Sequence, residues 1–353
     1  MDNIGGAEYV DLMLARELGA DIYTTNIDRE KIRKMGFGTE NIYSIGKIPI
    51  NAPQKQELAY WRFKRLNLGK TYDFYIIGGD WAVSAAKLNK PNMWYVYSPI
   101  REIWDLYEYT RKNTVVWYKR WIFTLWVNFH RYLNRRDVKD VDQIISISQN
   151  VRKRVKKYLK RDSHVIYPPT DTSKFHYGKT GNYWLSVNRL ISHKRVDMQL
   201  EAFRNLPDEK LIIVGSFEQS RHFLSYAKRI KKTKPNNVTI YSWVDSKKLI
   251  ELYANCKGFI TTSHDEDYGM TAVEAMASGK PVIAPKEGGY METVIDSKTG
   301  ILIENISSQK LIATINKIGK NPELYKDACI KQAKKFDIHT YISSIKKVIN
   351  YQE

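Results

Sequence analysis

Short apolar runs alternate with helix-like patterns along the chain of 353 residues. This alternation predicts βαβ units around parallel sheets. The run Pro168-Pro169-Thr170-Asp171 divides the pattern, because consecutive prolines interrupt helices and sheets alike. We therefore expect an α/β fold of two Rossmann-like, doubly wound domains facing each other across a cleft, residues 1–170 and 171–353, with the last helix a candidate to pack back on the first domain. The predicted strands are 21–26, 41–45, 73–78, 93–98, 143–148 and 164–167, then 183–188, 210–215, 238–243, 258–262, 281–284 and 300–303.

The beginning of the chain departs from this alternation. Gly5-Gly6-Ala7-Glu8 opens a predicted helix that runs to about Leu18, and a glycine turn of this kind normally follows a first strand. Only four residues precede it. We therefore expect the first strand to be missing, through truncation or a misassigned start site.

Charge is concentrated in one part of the chain. The formal net charge is +19, and 15 Lys and Arg against 3 Asp lie between Tyr109 and Arg161. Residues 117–133 mix aromatic and cationic side chains on a predicted helix, which favours contact with an anionic membrane surface. The alternative is a core helix with a solvated basic face. A basic protein also suggests nucleic acid as a partner, a possibility taken up below.

Composition also indicates where the protein works. No apolar segment resembles a signal peptide, and no uncharged run approaches the ~18 residues that span a bilayer. Two cysteines provide neither a disulfide framework nor metal-ligand spacing, which suits a reducing compartment. We expect a cytoplasmic protein, peripheral at the inner face of the membrane.

Two carboxylates flank a predicted junction between a strand and a helix. Glu266 lies in the loop after the strand at 258–262, and Glu274 lies on the helix that follows. Gly269 and Met270 fall at the helix start, where free backbone N–H groups and the helix dipole favour a phosphate or a polar sugar edge. The alternative is that both glutamates are merely solvated charges.

Two cations follow the first strand of the second predicted domain. Arg189 and Lys194 leave this strand end, where open α/β sheets bind ligands, and could neutralise a diphosphate. The strand ends at 210–216 and 241–244 would form the nucleotide side of the same crevice. The alternative is a solvated basic turn.

These stretches, together with Tyr95-Val96-Tyr97-Ser98-Pro99-Ile100-Arg101, stand in an order that resembles the retaining glycosyltransferases of family four, which have the GT-B fold. The resemblance implies a metal-independent transfer without a cofactor, in which the leaving phosphate takes the acceptor proton. Glu274 would hold the donor ribose, and Glu266 the hydroxyls of the transferred sugar. The implied site residues are Arg189, Lys194 and Glu266 for catalysis, Gly6, Asn188, Gly215, Val244, Gly269, Met270 and Glu274 for the donor, and Tyr97 and Arg101 for the acceptor pocket.

Departures from the family pattern bear on the substrate. Many relatives have a histidine where this chain has Tyr97, and tyrosine is no base at neutral pH. Lys194-Arg195, in place of the usual Lys-Gly, resembles mannosyltransferase-like members. GDP-mannose is thus the favoured donor, a UDP-sugar remains possible, and a lipid-linked or glycan acceptor is expected.

Two other functions remain open. A sugar-nucleotide epimerase would share the fold, whereas a nucleic-acid-binding protein would leave Glu266 and Glu274 unexplained, because carboxylates repel phosphates. We therefore expect no nucleic-acid partner. Asp265-Glu266-Asp267 resembles the metal-binding motif of the other major transferase fold, but it lies late in the second domain.

Overall fold

The computed structural model describes residues 1–2, 5–50, 54–215 and 221–350, with the backbone alone at 221–224. Contacts divide the chain into two compact units. The first unit comprises Met1–Tyr167 and Ile342–Glu353, and the second comprises Pro168–Tyr341. The division falls at the paired prolines.

The first unit contains two parallel sheets. A two-stranded sheet pairs β1 with β2, and a four-stranded sheet has the order β3-β4-β5-β6. In the described part of this unit, no strand precedes α1. Its strands are β1 (Ile22–Thr24), β2 (Ile42–Ser44), β3 (Tyr75–Gly78), β4 (Asn92–Val96), β5 (Gln143–Ser146) and β6 (His164–Val165). Its helices are α1 (Gly6–Leu18), α2 (Arg29–Lys34), α3 (Gln54–Arg65), α4 (Tyr107–Asn113), α5 (Arg120–Asp137) and α6 (Gln149–Arg154).

The second unit is built on one parallel sheet with the order β12-β11-β10-β7-β8-β9. Its strands are β7 (Tyr183–Val187), β8 (Lys210–Val214), β9 (Val238–Tyr241), β10 (Phe259–Ile260), β11 (Val282–Pro285) and β12 (Gly300–Ile303). Its helices are α7 (Val196–Arg204), α8 (Arg221–Thr233), α9 (Ser246–Asn255), α10 (Met270–Ala277), α11 (Tyr290–Thr293), α12 (Ser308–Gly319), α13 (Lys326–Ala333) and the start of α14 (Ile338–Asn350).

The core of the second unit explains its sheet. Central strands carry continuous apolar runs because helices cover both faces of a parallel sheet. On α7, Val196, Leu200 and Phe203 are buried at helical spacing against β7 and β8. The α/β class and the two Rossmann-like units with parallel sheets are confirmed, although most of the strands are shorter than predicted.

Strand order fixes where a ligand site can form in the second unit. The chain adds β8 and β9 on one side of β7, and β10, β11 and β12 on the other. The order therefore reverses between β7 and β10, and such a switch point opens a crevice at the carboxyl ends of the strands. The loops after β7 and β10 begin at this point.

Candidate active site

An ion pair joins the two loops at the switch point. Lys194 Nζ lies 2.5 Å from Glu266 Oε2, and both side chains are largely buried. The backbone supports this pair, because His264 N donates to His193 O at 2.8 Å and Thr262 Oγ1 donates to Lys194 O at 2.7 Å. The predicted cation and loop carboxylate therefore lie together.

Arg195 ties the same loops from the other side. It adopts a left-handed conformation with φ of 49°, and its Nε donates to Thr262 O at 2.6 Å. The guanidinium also donates to Ser263 O at 3.2 Å and pairs with Glu287. The sequence analysis used Arg195 only to infer the donor. Its contacts show that it also holds the two loops of the site together.

Glu266 is ionised over the whole physiological range. Burial disfavours its carboxylate, but Lys194, Ser263 and His193 more than offset this effect and lower the pKa of Glu266 to about 2. A permanent carboxylate accepts hydrogen bonds and donates none. At this position it can hold hydroxyl groups of a bound sugar.

Glu274 lies on the first turns of α10. Tyr253 on α9 donates from its hydroxyl to Glu274 Oε2 at 2.7 Å, which leaves Oε1 for a ligand. Burial raises the pKa of Glu274, and the bond from Tyr253 partly offsets the rise. Gly269 begins the helix with φ of 89° and without a side-chain cap, so the first N–H groups of α10 have no side-chain acceptor there.

A glycine pair after β11 clamps the Glu266 loop. Gly288 has φ of 61°, and a Cβ there would lie 2.5 Å from Glu266 O. Gly289 N donates to Glu266 O at 2.8 Å. Tyr290 shares a hydrogen bond of 2.7 Å with Thr261 Oγ1, and its hydroxyl lies 3.4 Å from Glu266 Oε2. The sequence analysis missed these residues, although a Gly-Gly pair after a buried strand is a detectable signal.

The remaining donor candidates lie at the ends of β7, β8 and β9. Asn188 donates to Ser186 Oγ at 2.8 Å, while its buried Oδ1 has no hydrogen-bond partner in the described structure. A Cβ on Gly215 would lie 2.8 Å from Leu190, so glycine is required for close packing there. Val244 is partly exposed, and Arg189 is exposed.

The first unit holds the other candidates. Gly6 is the first residue of α1. The Tyr97 hydroxyl donates to Asp11 Oδ1 at 2.6 Å and to Ala7 O at 3.1 Å. Arg101 forms an ion pair of 2.7 Å with Asp105 in a largely buried position. The sequence analysis missed Asp11, since a lone carboxylate on a helix gives no signal.

The described residues offer neither a ready metal centre nor a helix suited to span a membrane. They contain no cluster of three or more His, Cys, Asp or Glu side chains placed to hold a metal ion. None of the described helices is both long enough and apolar enough to cross a bilayer.

The ion pair, Glu274 and the glycine clamp all lie within one stretch that is similar to a known family. Residues 169–336 match the glycosyl transferases group 1. An uncharacterized glycosyltransferase of Methanocaldococcus jannaschii is 26% identical over 63% of each chain. Alpha-1,3/1,6-mannosyltransferase ALG2 of Candida glabrata is 24% identical over 92% of this chain and 85% of its own.

Coverage of these relatives is uneven. The matched region spans 63% of the Methanocaldococcus protein and 53% of ALG2 from Dictyostelium discoideum. Among solved structures, Anabaena HepE in complex with UDP and glucose has a TM-score of 0.77 at 18% identity, over 99% of this chain and 97% of its own. This likeness shows the fold, and the predicted GT-B class is confirmed.

Proposed function

We propose that the protein is a retaining glycosyltransferase that moves a hexose from a nucleotide-diphosphate sugar to a lipid-linked or glycan acceptor. The observation that carries the proposal is the Lys194–Glu266 pair at the switch point of the second unit. The loops after β7 and β10 there offer a cation for phosphate and a carboxylate for sugar hydroxyls. The match of residues 169–336 to group 1 glycosyl transferases supports it.

Charge explains how such a site would lower the barrier. Cleavage of the bond between sugar and diphosphate leaves negative charge on the leaving oxygen, which fixed cations stabilise. Lys194 is held in place by Glu266, so it need not reorganise during the reaction. Loss of one such contact typically costs about 10²-fold in rate. Arg189 would add a second cation, and the leaving phosphate would take the proton of the acceptor hydroxyl.

The carboxylates would divide the donor between them. Glu266 would bind hydroxyls of the sugar, because it stays ionised near neutral pH. Glu274 would hold the ribose through the oxygen that Tyr253 leaves free. Backbone N–H groups of Gly269 and Met270 at the uncapped start of α10 would meet the phosphates. Gly6, Asn188, Gly215 and Val244 complete the proposed donor contacts.

We favour GDP-mannose as the donor. A relative that matches over 92% of this chain is named an alpha-1,3/1,6-mannosyltransferase. HepE has been solved with UDP and glucose, so a UDP-sugar is the alternative donor. Lys194-Arg195 supports the mannose assignment through the resemblance described above. We propose that Tyr97 and Arg101 lie in the acceptor pocket.

A panel of ligands tests the proposed donor site. Thermal shifts of the full chain would be measured with GDP-mannose, UDP-glucose, UDP-N-acetylglucosamine, GDP and UDP. We expect the largest shift with GDP-mannose, and its loss in Glu274→Ala. Glu304→Ala, which removes an exposed carboxylate of the same unit, should shift like the wild type. A wild-type protein that responds to none of the five would contradict the proposal.

We also propose that α5 brings the protein to an anionic membrane. This helix turns apolar side chains outward at helical spacing, with Trp121 and Leu125 64% and 61% exposed. Its inner face is mixed, because Val127 and Leu133 are buried there beside His130 and Asp137. These last two bond to Glu57 and Tyr60 of α3. The outward apolar stripe consists of Trp117, in the turn just before α5, and of Trp121, Ile122, Leu125, Phe129 and Tyr132 on α5.

Charge complementarity selects an anionic bilayer as the occupant of this stripe. Lys119 and Arg135 are exposed at its two ends, and Lys112 and Lys139 lie exposed close by in sequence. Aromatic rings favour the headgroup region, and each nearby cation adds ~1 kcal/mol toward anionic lipid. Such docking would place a cytoplasmic enzyme next to a lipid-linked acceptor.

Vesicle flotation tests the membrane proposal. We expect recovery with phosphatidylcholine vesicles that contain phosphatidylserine, little recovery with phosphatidylcholine alone, and loss of binding in Trp121→Ser/Leu125→Ser. Leu324→Ser, at a position 78% exposed in the second unit, is the matched control and should float normally. Equal recovery with both vesicle types, or self-association through the stripe without flotation, would contradict it.

A further inference from the structure

Asp11 on α1 is a carboxylate without a counter-ion. Tyr97, the residue after β4, gives it a hydrogen bond of 2.6 Å to Oδ1, and this is its one hydrogen bond in the described structure. No Lys, Arg or His among the described residues lies within ion-pair distance of it. Its side chain is only partly exposed and packs closely against the backbone, since a Cβ on Gly78, at the end of β3, would lie 2.6 Å from Asp11 Oδ1.

A second carboxylate of the same unit shows how a purely structural aspartate is accommodated. Asp137 is buried and accepts a hydrogen bond of 2.6 Å from Tyr60, much as Asp11 does from Tyr97. Asp137, however, is also paired with Lys64 at 3.3 Å and Arg136 at 2.8 Å. Withdrawing a carboxylate even partly from water without an ion-pair partner is costly, so Asp11, which lacks the partners that Asp137 has, is a candidate for function.

We propose that Asp11, held by Tyr97, binds a hydroxyl group of the acceptor sugar. Gly78 and Tyr97 place the carboxylate at the carboxyl ends of β3 and β4, where open α/β sheets bind ligands. An uncompensated negative charge repels a diphosphate and attracts a neutral polyol, which can donate hydrogen bonds. This assigns the site to the acceptor and rests on the proposed transferase function.

The ionisation of Asp11 gives the site a pH dependence. Burial and the nearby Glu8 raise the pKa of Asp11 to about 7, whereas Tyr97 and the Met1 amino group act in the opposite direction. The carboxylate therefore forms as the pH rises through neutrality. Acceptor binding should strengthen from pH 6 to pH 8, and this trend should disappear in Asp11→Asn.

Binding and turnover together test the inference. Octyl α-mannoside, octyl β-glucoside and octyl N-acetyl-β-glucosaminide would serve as acceptor probes, with binding followed by saturation-transfer NMR. We expect Asp11→Asn to weaken the best probe by about tenfold or more, the factor for one hydrogen bond to a charged group. Tyr97→Phe should weaken it as well, because the carboxylate loses its positioning contact.

Donor measurements separate this inference from the proposed function. Thermal shifts with GDP-mannose and slow donor hydrolysis without acceptor should be unchanged in Asp11→Asn. Asp21→Asn is the matched control, because Asp21 also accepts a hydrogen bond from a tyrosine, Tyr72 at 2.5 Å. Normal donor shifts with unaltered probe binding in Asp11→Asn, or a wild type that binds no probe, would overturn the inference alone. A wild-type protein that shows no thermal shift with any donor would instead overturn the proposed function.

Discussion

Replacing Lys194 by methionine removes one partner of the largely buried pair with Glu266. The two side chains are 14% and 18% exposed, so water cannot replace the lost contact fully. Methionine has a similar length and no charge, and the Glu266 carboxylate is left buried without its cation. We expect the variant to fold with lower stability at neutral pH and to lose transferase activity.

The size of the loss follows from the ionisation of Glu266. Burial disfavours the Glu266 carboxylate, but Lys194 more than offsets this effect and lowers the pKa of Glu266 below its ordinary value. Removing one partner of a buried pair generally costs about 3–5 kcal/mol, and we expect a loss of this size. Because the pKa is lowered in the folded state, this stabilisation is complete above pH 4.5 and is lost as the pH falls toward 2. The deficit of Lys194→Met should therefore shrink in acid.

Urea unfolding of the full chain at pH 7, and again between pH 4.5 and 3, measures this deficit. Lys286→Met is the matched control, because Lys286 pairs with Glu304 at 2.5 Å on the surface, where such pairs contribute little. The double variant Lys194→Met/Glu266→Gln should recover part of the loss. Wild-type stability in Lys194→Met at pH 7, or a deficit that does not change with pH, would refute the reasoning.

Three further predictions concern single features. Gly288→Ala should lower stability and donor binding more than Gly36→Ala. Both glycines have a positive φ, but only the Cβ added at Gly288 would collide with a neighbouring backbone. Differential scanning fluorimetry, with and without donor, compares the two variants. Asp11→Asn should be more stable than the wild type above pH 7, by up to roughly 4 kcal/mol, and equal to it below pH 4. The reason is that a carboxyl group with a raised pKa in the folded state makes the wild type less stable as the pH rises. Urea titrations of both proteins at the two pH values check this. Transfer should persist in excess EDTA, and an activity restored only by added Mg²⁺ would disprove metal independence.

The sequence predicted the strands well because each is a short apolar run between polar loops. All twelve predicted positions contain a strand, in the sheet order that parallel βαβ units allow. Their ends were less accurate, since strand pairing rather than apolar character decides where hydrogen bonding stops. The predicted strand at 258–262, for example, is paired only at Phe259–Ile260.

The candidate site was only partly predictable. Lys194 and Glu266 were placed together because both follow strand ends at one sheet edge, a relation that topology supplies. Tyr253 and Asp11 were missed, because their contacts join positions 21 and 86 residues apart that no local pattern connects. A membrane-facing side of residues 117–133 was expected from their aromatic and cationic side chains, whereas the side of α5 that packs inward follows from its contacts with α3.

Product analysis tests the central claim most directly. The full chain would be incubated with GDP-mannose and an octyl glycoside in the presence of EDTA, and ¹H NMR would follow the anomeric signals. We predict release of GDP with transfer of mannose in the α configuration of the donor, and loss of this signal in Lys194→Met. Conversion of the donor to an epimer without transfer, or a product of inverted configuration, would contradict it.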